Sequence, residues 1–235
     1  LLELVLFRAI PRQDVKPLAR RLLDHFGDFN RVLSAPPARL AEMLQRDELD
    51  AALVSVVEVL FHDRYDILDG IGIAALGEVK SVLLAHRKPL DEAAEIFCDP
   101  ASLTSVQLLR ILLAERGITP EFKPLPGYDL AALPDYALLI GDTALDLALG
   151  PHQHDIWDLG AAWYEMTGLP FVFAVWALRR GVENARLRRL LREAHDFGLD
   201  TLDSIIRTRT EYTSDLRKDY VGWHIDYHIG ADEKR

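Results

Sequence analysis

The stretch TGLPFVFAVWAL, residues 167–178, decides the fold. Every residue from 171 to 178 is apolar, and Gly168 and Pro170 stand just before this run. An unbroken apolar run of this length, bounded by turn residues, is typical of a strand that is buried on both faces. We therefore expect residues 171–178 to form a central strand of a sheet.

Other apolar runs along the chain alternate with patterns of helical spacing. This alternation predicts an α/β protein with mostly parallel sheets. At the start of the chain, 1–9 and 14–26 have helical spacing and predict a short N-terminal helical segment. Further strands are predicted at 50–57, 67–73, 79–85, 120–125, 136–140 and 156–159, and further helices at 38–46, 98–117, 184–197, 200–210 and 216–228.

Composition limits the classes of function. The 235 residues are 49% hydrophobic with a mean hydropathy of +0.02, which is typical of a globular protein. The net charge of −10 argues against a broad nucleic-acid surface but not against a small anionic ligand. The single cysteine, Cys98, excludes an internal disulfide. No apolar run is long enough to cross a membrane and no secretory segment opens the chain, so we expect a cytoplasmic protein.

Three hydroxyl residues crowd the start of the helix predicted from CDPASLTSVQLLRILLAERG, residues 98–117: Ser102, Thr104 and Ser105. One of them can cap the helix, because a side-chain oxygen satisfies a backbone N–H that has no partner within the helix. The other two leave two interpretations open. They hold a carboxylate at the positive end of the helix dipole, or they are solvated surface hydroxyls.

Two other strand ends carry residues suited to a ligand site. LLIGDTAL, residues 138–145, runs an apolar strand into Gly141 and Asp142, where a glycine allows a ligand to approach the backbone closely. Thr167 and Gly168 precede the central strand. Each turn alone is more often structural, but ligands of open α/β sheets bind beyond the carboxyl ends of strands, so their joint occurrence favours a pocket.

The spacing of the histidines does not indicate a metal site. His152 and His154 are followed by Asp155, but the segment has no third spaced ligand, so a loop is the better interpretation. His224 and His228 are four residues apart without the glutamate of a zinc peptidase, which favours a surface helix. The basic run from Arg179 to Arg192 is interleaved with glutamates and is interpreted as a solvated helix face.

Several quoted motifs, in this order, resemble the menaquinone-biosynthesis MqnA family, the chorismate dehydratases of the futalosine pathway. They are DELDAALVSVVEVL, GIGIAALGEVKSVLL, DPASLTSVQLLRILLAERGITPEF, LLIGDTAL, WDLGAAWYEMTGLPFVFAVWALRR and DYVGWHIDYHIGADEK, which lie within 38–235. The resemblance implies a periplasmic-binding-protein-like fold of type II with two α/β lobes, 38–88 with 172–235 and 89–171, joined through crossing strands at 80–85 and 171–178. It implies chorismate as the small-molecule substrate, no cofactor, no metal, no nucleic-acid or membrane partner, and a monomer or homodimer.

The resemblance also implies roles for individual residues. Ser105 is the catalytic candidate, assisting departure of the substrate hydroxyl, and the substrate's own enolpyruvyl carboxylate serves as the base. The substrate-binding residues are Ser55, Ser102, Thr104, Ser105, Gly141, Asp142, Thr167 and Gly168.

Residues 1–42 resemble a different family, the N-terminal helical region of the RadC family of DNA-repair proteins, whose H-x-H-P-S-G motif is absent here. We therefore expect a fusion or chimeric gene, with 1–37 as the RadC-like segment. The opening strand and S-Y-L-N-x-x-P-L motif of the dehydratase family, whose Asn contributes to the substrate pocket, are also absent. Two alternatives to the enzyme follow: a catalytically impaired protein that binds an anionic aromatic ligand, or a DNA-repair-associated module.

Overall fold

The computed structural model describes residues 37–101, 103–181 and 185–235. They form two compact units, each made of separate chain segments. Unit 1 contains the described residues up to Gly72 together with those of Ala174–Trp223, and unit 2 contains Ile73–Phe173 and His224–Arg235. The predicted helical segment 1–37 lies outside the described residues apart from its last position.

Strands and helices are interspersed along the chain, as the sequence predicts. In chain order they are α1 (Pro37–Gln45), β1 (Ala51–Ser55), α2 (Val56–Phe61), β2 (Tyr65–Ala75), β3 (Val82–His86), β4 (Glu95–Cys98), α3 (Leu103–Ala114), β5 (Glu121–Pro124), β6 (Tyr136–Ile140), α4 (Gly141–Leu149), β7 (Asp155–Asp158), α5 (Leu159–Thr167), β8 (Phe171–Arg179), α6 (Ala185–Asp200), α7 (Leu202–Thr208), α8 (Ser214–Asp219), a π-helical turn (Tyr220–His224) and β9 (Asp226–Ile229). Strict alternation is broken in two places, because β2, β3 and β4 follow one another and so do α6, α7 and α8.

The apolar strand that opened the sequence analysis is β8, and it lies inside a four-stranded sheet of order β1-β8-β2-β9. It runs antiparallel to β1, with Leu178 opposite Ala51 and Ala174 opposite Ser55. Ala177 and Leu178 are fully buried. The prediction of a central strand is therefore confirmed. A core of buried apolar residues packs α1 onto this part of unit 1: Leu40, Ala41, Met43, Leu44, Leu49, Ala52, Val54, Tyr65 and Ala177.

Unit 2 is built around a five-stranded sheet of order β5-β4-β6-β3-β7. β4 is parallel to β5 and β6, whereas β3 is antiparallel to β6 and β7. The α/β class is confirmed, and the sheet is mixed rather than mostly parallel. The reason is that β3 begins at the end of the sheet where β6 finishes, because Val82, the first residue of β3, pairs with Ile140, the last residue of β6. β4, β5, β6 and β7 thus end, and β3 begins, at one edge, which we call the carboxyl edge.

The units divide the chain differently from the expected lobes. β3 was expected in the first lobe, but it pairs with β6 and β7 and belongs to unit 2. The boundary between the units falls within β2, between Gly72 and Ile73, and again within β8, between Phe173 and Ala174. The chain crosses once more after Trp223, so the last residues also belong to unit 2.

The helix predicted at 216–228 is wrong over its second half. The chain forms α8 and a π-helical turn and then the strand β9. Along β9 burial alternates, with Tyr227 and Ile229 buried and Asp226 and His228 exposed, which is the period of a strand rather than of a helix. Among the described helices none is long and apolar enough to cross a membrane.

Candidate active site

The carboxyl edge of unit 2 is held together by backbone hydrogen bonds between segments distant in sequence. The Asp99 N–H, just after β4, donates to the Leu138 carbonyl of β6 at 3.0 Å. The Gly141 N–H donates to the carbonyl of Ser81 at 2.8 Å, and this bond joins the end of β6 to the start of β3. The predicted ligand-binding turns at α3 and at Gly141 therefore belong to neighbouring strands of one sheet edge.

The hydroxyl cluster at the start of α3 separates into different roles. Thr104 is 4% exposed, and its Oγ1 donates its only proton to the carbonyl of Phe173 at 3.0 Å, so it cannot also donate to a ligand. Ser105 is equally buried, and its hydroxyl has no hydrogen-bond partner among the described residues. Ser102 lies outside the part of the chain that the structure describes. Ser105 is therefore the described hydroxyl of this cluster that has a proton to donate.

Gly141 begins α4 with a backbone φ of +62°, a left-handed conformation that favours glycine. A Cβ placed on this residue would meet no heavy atom within 4 Å, so the backbone faces open space. No side chain caps α4, because the residue at its N-cap position is Ile140. Asp142 follows in the first turn and is exposed. The turn places the start of α4 beside open space at the carboxyl edge, and the Gly141 N–H itself is bonded to the Ser81 carbonyl.

Asp158 organises the loop that leads into β3, a role that the sequence analysis missed. Its carboxylate accepts hydrogen bonds from the backbone N–H groups of Val79 at 3.1 Å, Lys80 at 2.7 Å and Ala161 at 3.0 Å. It is therefore both the N-cap of α5 and the anchor of the residues just before Ser81. An aspartate directly before an apolar helix is a cap signal that the sequence offered.

Asp99 and Tyr128 form a second polar contact that the sequence analysis missed. Asp99 is 5% exposed, and its Oδ1 accepts from the Ala101 N–H at 2.9 Å and from the Tyr128 hydroxyl at 3.0 Å. Partial burial, followed by the bond to this carboxylate, raises the pKa of Tyr128 above its ordinary value. The two residues are far apart in sequence, so no local pattern announces the contact.

The other predicted substrate-binding residues have visible structural roles. Thr167 Oγ1 donates to the Trp163 carbonyl at 2.8 Å and accepts from the Leu169 N–H at 3.1 Å. Gly168 ends α5 in the left-handed conformation, with φ of +69°. Ser55 ends β1 in unit 1, is 9% exposed and makes no side-chain cap bond to α2. Their part in substrate binding stays a prediction.

The histidines form no cation site within the described residues, where no group of three or more potential ligands occurs. His152 and His154 lie in a loop, as predicted. His154 is buried, its Nε2 donates to the Pro134 carbonyl at 3.0 Å, and burial lowers its pKa. The predicted helical pair is not formed: His224 Nδ1 donates to the Glu78 carbonyl at 2.9 Å, and His228 is exposed on β9.

The basic run begins with ion pairs rather than with a solvated helix face. Arg179 ends β8 and contacts Asp50 at 2.7 Å, and Arg180 contacts Asp63 at 2.7 Å. From Ala185 onward the run lies on α6, where Arg189 is exposed and pairs with Glu193. The prediction of a solvated helix face therefore fits Arg186, Arg189 and Arg192, which are exposed on α6. It is wrong for Arg179 and Arg180, and Arg188 on α6 is partly buried and pairs with Asp66 at 3.1 Å.

Comparison with known proteins decides the family. The model of the family described as "Menaquinone biosynthesis" matches residues 9–235. The chain belongs to this menaquinone biosynthesis family. It is 35% identical over 226 residues to the chorismate dehydratase of Thermus thermophilus, an alignment that covers 87% of this chain and 83% of that protein.

A separate, local similarity covers about a quarter of the chain. Over 58 residues it is 64% identical to a UPF0758 protein of Rhodobacter capsulatus, which is 25% of this chain and 27% of that protein. The menaquinone biosynthesis match begins at residue 9, inside the segment expected to be RadC-like. The fusion therefore stays a prediction.

Solved structures agree on the fold. The crystal structure of protein AF1704 from Archaeoglobus fulgidus matches with a TM-score of 0.65 at 19% identity, over 86% of this chain and 80% of that one. The periplasmic aliphatic sulphonate binding protein SsuA from Escherichia coli matches with a TM-score of 0.53 at 15% identity, over 94% and 77%. The expected periplasmic-binding-protein-like fold is confirmed for this member of the menaquinone biosynthesis family.

Proposed function

We propose that this protein is a chorismate dehydratase, a hydro-lyase that converts chorismate to 3-[(1-carboxyvinyl)oxy]benzoate during menaquinone biosynthesis. The observation that carries the proposal is the alignment with the Thermus thermophilus chorismate dehydratase over 87% of the chain. Two features at adjacent strand ends of unit 2 support it: the hydroxyl of the buried Ser105, which is a donor suited to an anionic substrate, and the open space at Gly141.

The reaction removes the proton from ring carbon 3 and the hydroxyl from ring carbon 4 of chorismate, and it leaves an aromatic ring. If the proton departs first, the electron pair spreads through the diene onto the ring carboxylate. Donors aimed at that carboxylate then stabilise the transition state more than the ground state. Hydroxide leaves from carbon 4 as the ring becomes aromatic, and the proton and hydroxide balance as water.

In this proposal Ser105 supplies such a donor. It lies in the first turn of α3, where the backbone N–H groups have no partners within the helix and the helix dipole is positive. Thr104 contributes differently from the sequence expectation, because its hydroxyl bonds Phe173 and keeps α3 in place. The base in this proposal is the enolpyruvyl carboxylate of the substrate, so the protein mainly orients and desolvates.

The test is incubation of the purified chain with chorismate, with separation of products by chromatography against an enzyme-free control. We expect the enolpyruvyl benzoate to accumulate above the control. Chorismate that raises the melting temperature but yields no product would support the alternative of an impaired binding protein instead.

A serine variant tests the assigned role. Ser105→Ala is expected to lower kcat by about 100-fold, the effect of losing one donor to a developing oxyanion, with a smaller change in KM. Ser204→Ala, an exposed serine of α7, is the matched control and should leave both constants unchanged. Equal losses in kcat and in affinity would show that Ser105 only anchors the substrate.

A further inference from the structure

Tyr128 has an exposed side chain whose hydroxyl is bound to a buried carboxylate. In unit 2 this hydroxyl donates to Asp99, which is 5% exposed, while Tyr128 as a whole is 52% exposed. The bond fixes the end of the side chain, and about half of the residue stays in contact with solvent. A ligand that covered the ring would remove apolar surface from water, which favours binding.

The position of the ring is set by the carboxyl edge. The Asp99 oxygen that accepts from Tyr128 also accepts from the N–H of Ala101, two residues before α3 begins. The Asp99 backbone is bonded in turn to Leu138 of β6. After β5 the Leu125 N–H donates to the Cys98 carbonyl, which ties the segment leading to Tyr128 to the same strand end. The exposed ring is therefore fixed beside the segment that leads into α3.

We propose that Tyr128 is a specificity-determining residue of the substrate site, where its ring packs against the flat six-membered ring of the ligand. This inference rests on the proposed function, which places a ring carboxylate at the start of α3. A carboxylate held there carries its ring into the space beside Tyr128. Asp99 acts as a positioning residue, because it holds the hydroxyl and thereby the plane of the tyrosine ring.

The experiment measures preference for a planar ring without requiring turnover. The probes are 3-methoxybenzoate, which is planar, and cyclohexanecarboxylate, which has the same charge and a puckered ring. Calorimetry gives both dissociation constants for the wild type and for Tyr128→Phe and Tyr128→Ala. Tyr164→Ala is the control, since Tyr164 is 45% exposed on α5 and its backbone carbonyl, which alanine keeps, accepts from the Gly168 N–H.

We expect the wild type to prefer the planar probe, and Tyr128→Ala to reduce that preference by up to about tenfold, the value of one aromatic pair. Tyr128→Phe keeps the ring but loses the bond to Asp99, so its preference should fall between those of the wild type and of Tyr128→Ala. Tyr164→Ala should retain the full preference. With chorismate, Tyr128→Ala should raise KM more than it lowers kcat. No planar preference in the wild type, or an equal loss in the control, would overturn the proposal.

The two proposals fail separately. A wild-type chain that forms product from chorismate, with a probe preference that Tyr128→Ala leaves intact, would overturn the role of Tyr128 and keep the dehydratase. If the wild type forms no product, but the preference for the planar probe is lost in the Tyr128→Ala variant, the result would support the aromatic site and overturn the dehydratase.

Discussion

Replacing Asp158 tests how the loop before β3 is held. Its carboxylate accepts from three backbone N–H groups, those of Val79, Lys80 and Ala161. Loss of the N-cap bond to Ala161 costs about 1 kcal/mol. Loss of each charge-assisted bond to the loop costs about 1.5 kcal/mol at the lower end of the measured range. Asp158→Ala should therefore lower the free energy of unfolding by about 4 kcal/mol.

Urea denaturation followed by circular dichroism measures this loss. With a slope of about 3 kcal/mol per molar urea, the midpoint should fall by about 1.3 M. Asp158→Asn keeps one carbonyl oxygen and should lose about half as much. Asp155→Ala, an exposed aspartate at the other end of β7, is the control and should change stability by less than about 0.5 kcal/mol. Midpoints that coincide for Asp158→Ala and Asp155→Ala would refute the reasoning.

Three further changes have defined outcomes. Gly160→Ala should lower the free energy of unfolding, measured by urea denaturation, by about 1–3 kcal/mol, because the new Cβ would lie 2.5 Å from the Gly77 carbonyl oxygen. Gly222→Ala is the control and should be tolerated, because the nearest atom to its Cβ would be 3.8 Å away. Burial raises the pKa of the Cys98 thiol to about 11, so at pH 8 a thiol reagent should react about 100-fold more slowly with the folded than with the unfolded chain; equal rates would contradict this. Burial lowers the pKa of His154 below its ordinary value of 6.5, so the unfolded chain takes up the proton at a higher pH than the folded chain does. The free energy of unfolding therefore decreases as the pH falls below 6.5. His154→Gln should make the urea midpoint decrease less between pH 7 and pH 5.

The strands β6 and β8 could be predicted from sequence because their patterns need no tertiary information. β6 was predicted with its observed bounds, since Tyr136–Ile140 is an apolar run that stops at Gly141. β8 begins at Phe171, directly after Pro170. Both strands lie inside their sheets, and burial on both faces produces the unbroken apolar run that is visible in one dimension.

β9 was mistaken for helix because two periods meet in a short span. Up to Val221 the buried residues have helical spacing, and from Ile225 the spacing becomes every second residue. Four strand residues are too few to outweigh the helical pattern before them. The local spacing of apolar residues favoured continuation of the helix, and the switch from helix to strand is visible only from the pairing of β9 in the sheet.

The site was partly predictable for a similar reason. Hydroxyls at a helix start can be found from sequence, but their division into donor and anchor cannot. The partner of Thr104 is Phe173, 69 residues away, and the partner of Asp99 is Tyr128, 29 residues away. Which hydroxyl keeps its proton for a ligand depends on which distant carbonyl the fold brings beside it.

The strand order of the four-stranded sheet determines how long β2 waits for its neighbouring strands during synthesis of the chain. β1 and β2 leave the ribosome first, but they are not neighbours; β8 stands between them, and β9 is the other partner of β2. At 5–20 residues per second, about 100 residues separate β2 from β8, and roughly 5–20 s pass before β8 is made. During that interval the edges of β2 are open to other strands. The nascent chain is thus most exposed to mispairing in the interval between the synthesis of β2 and that of β8.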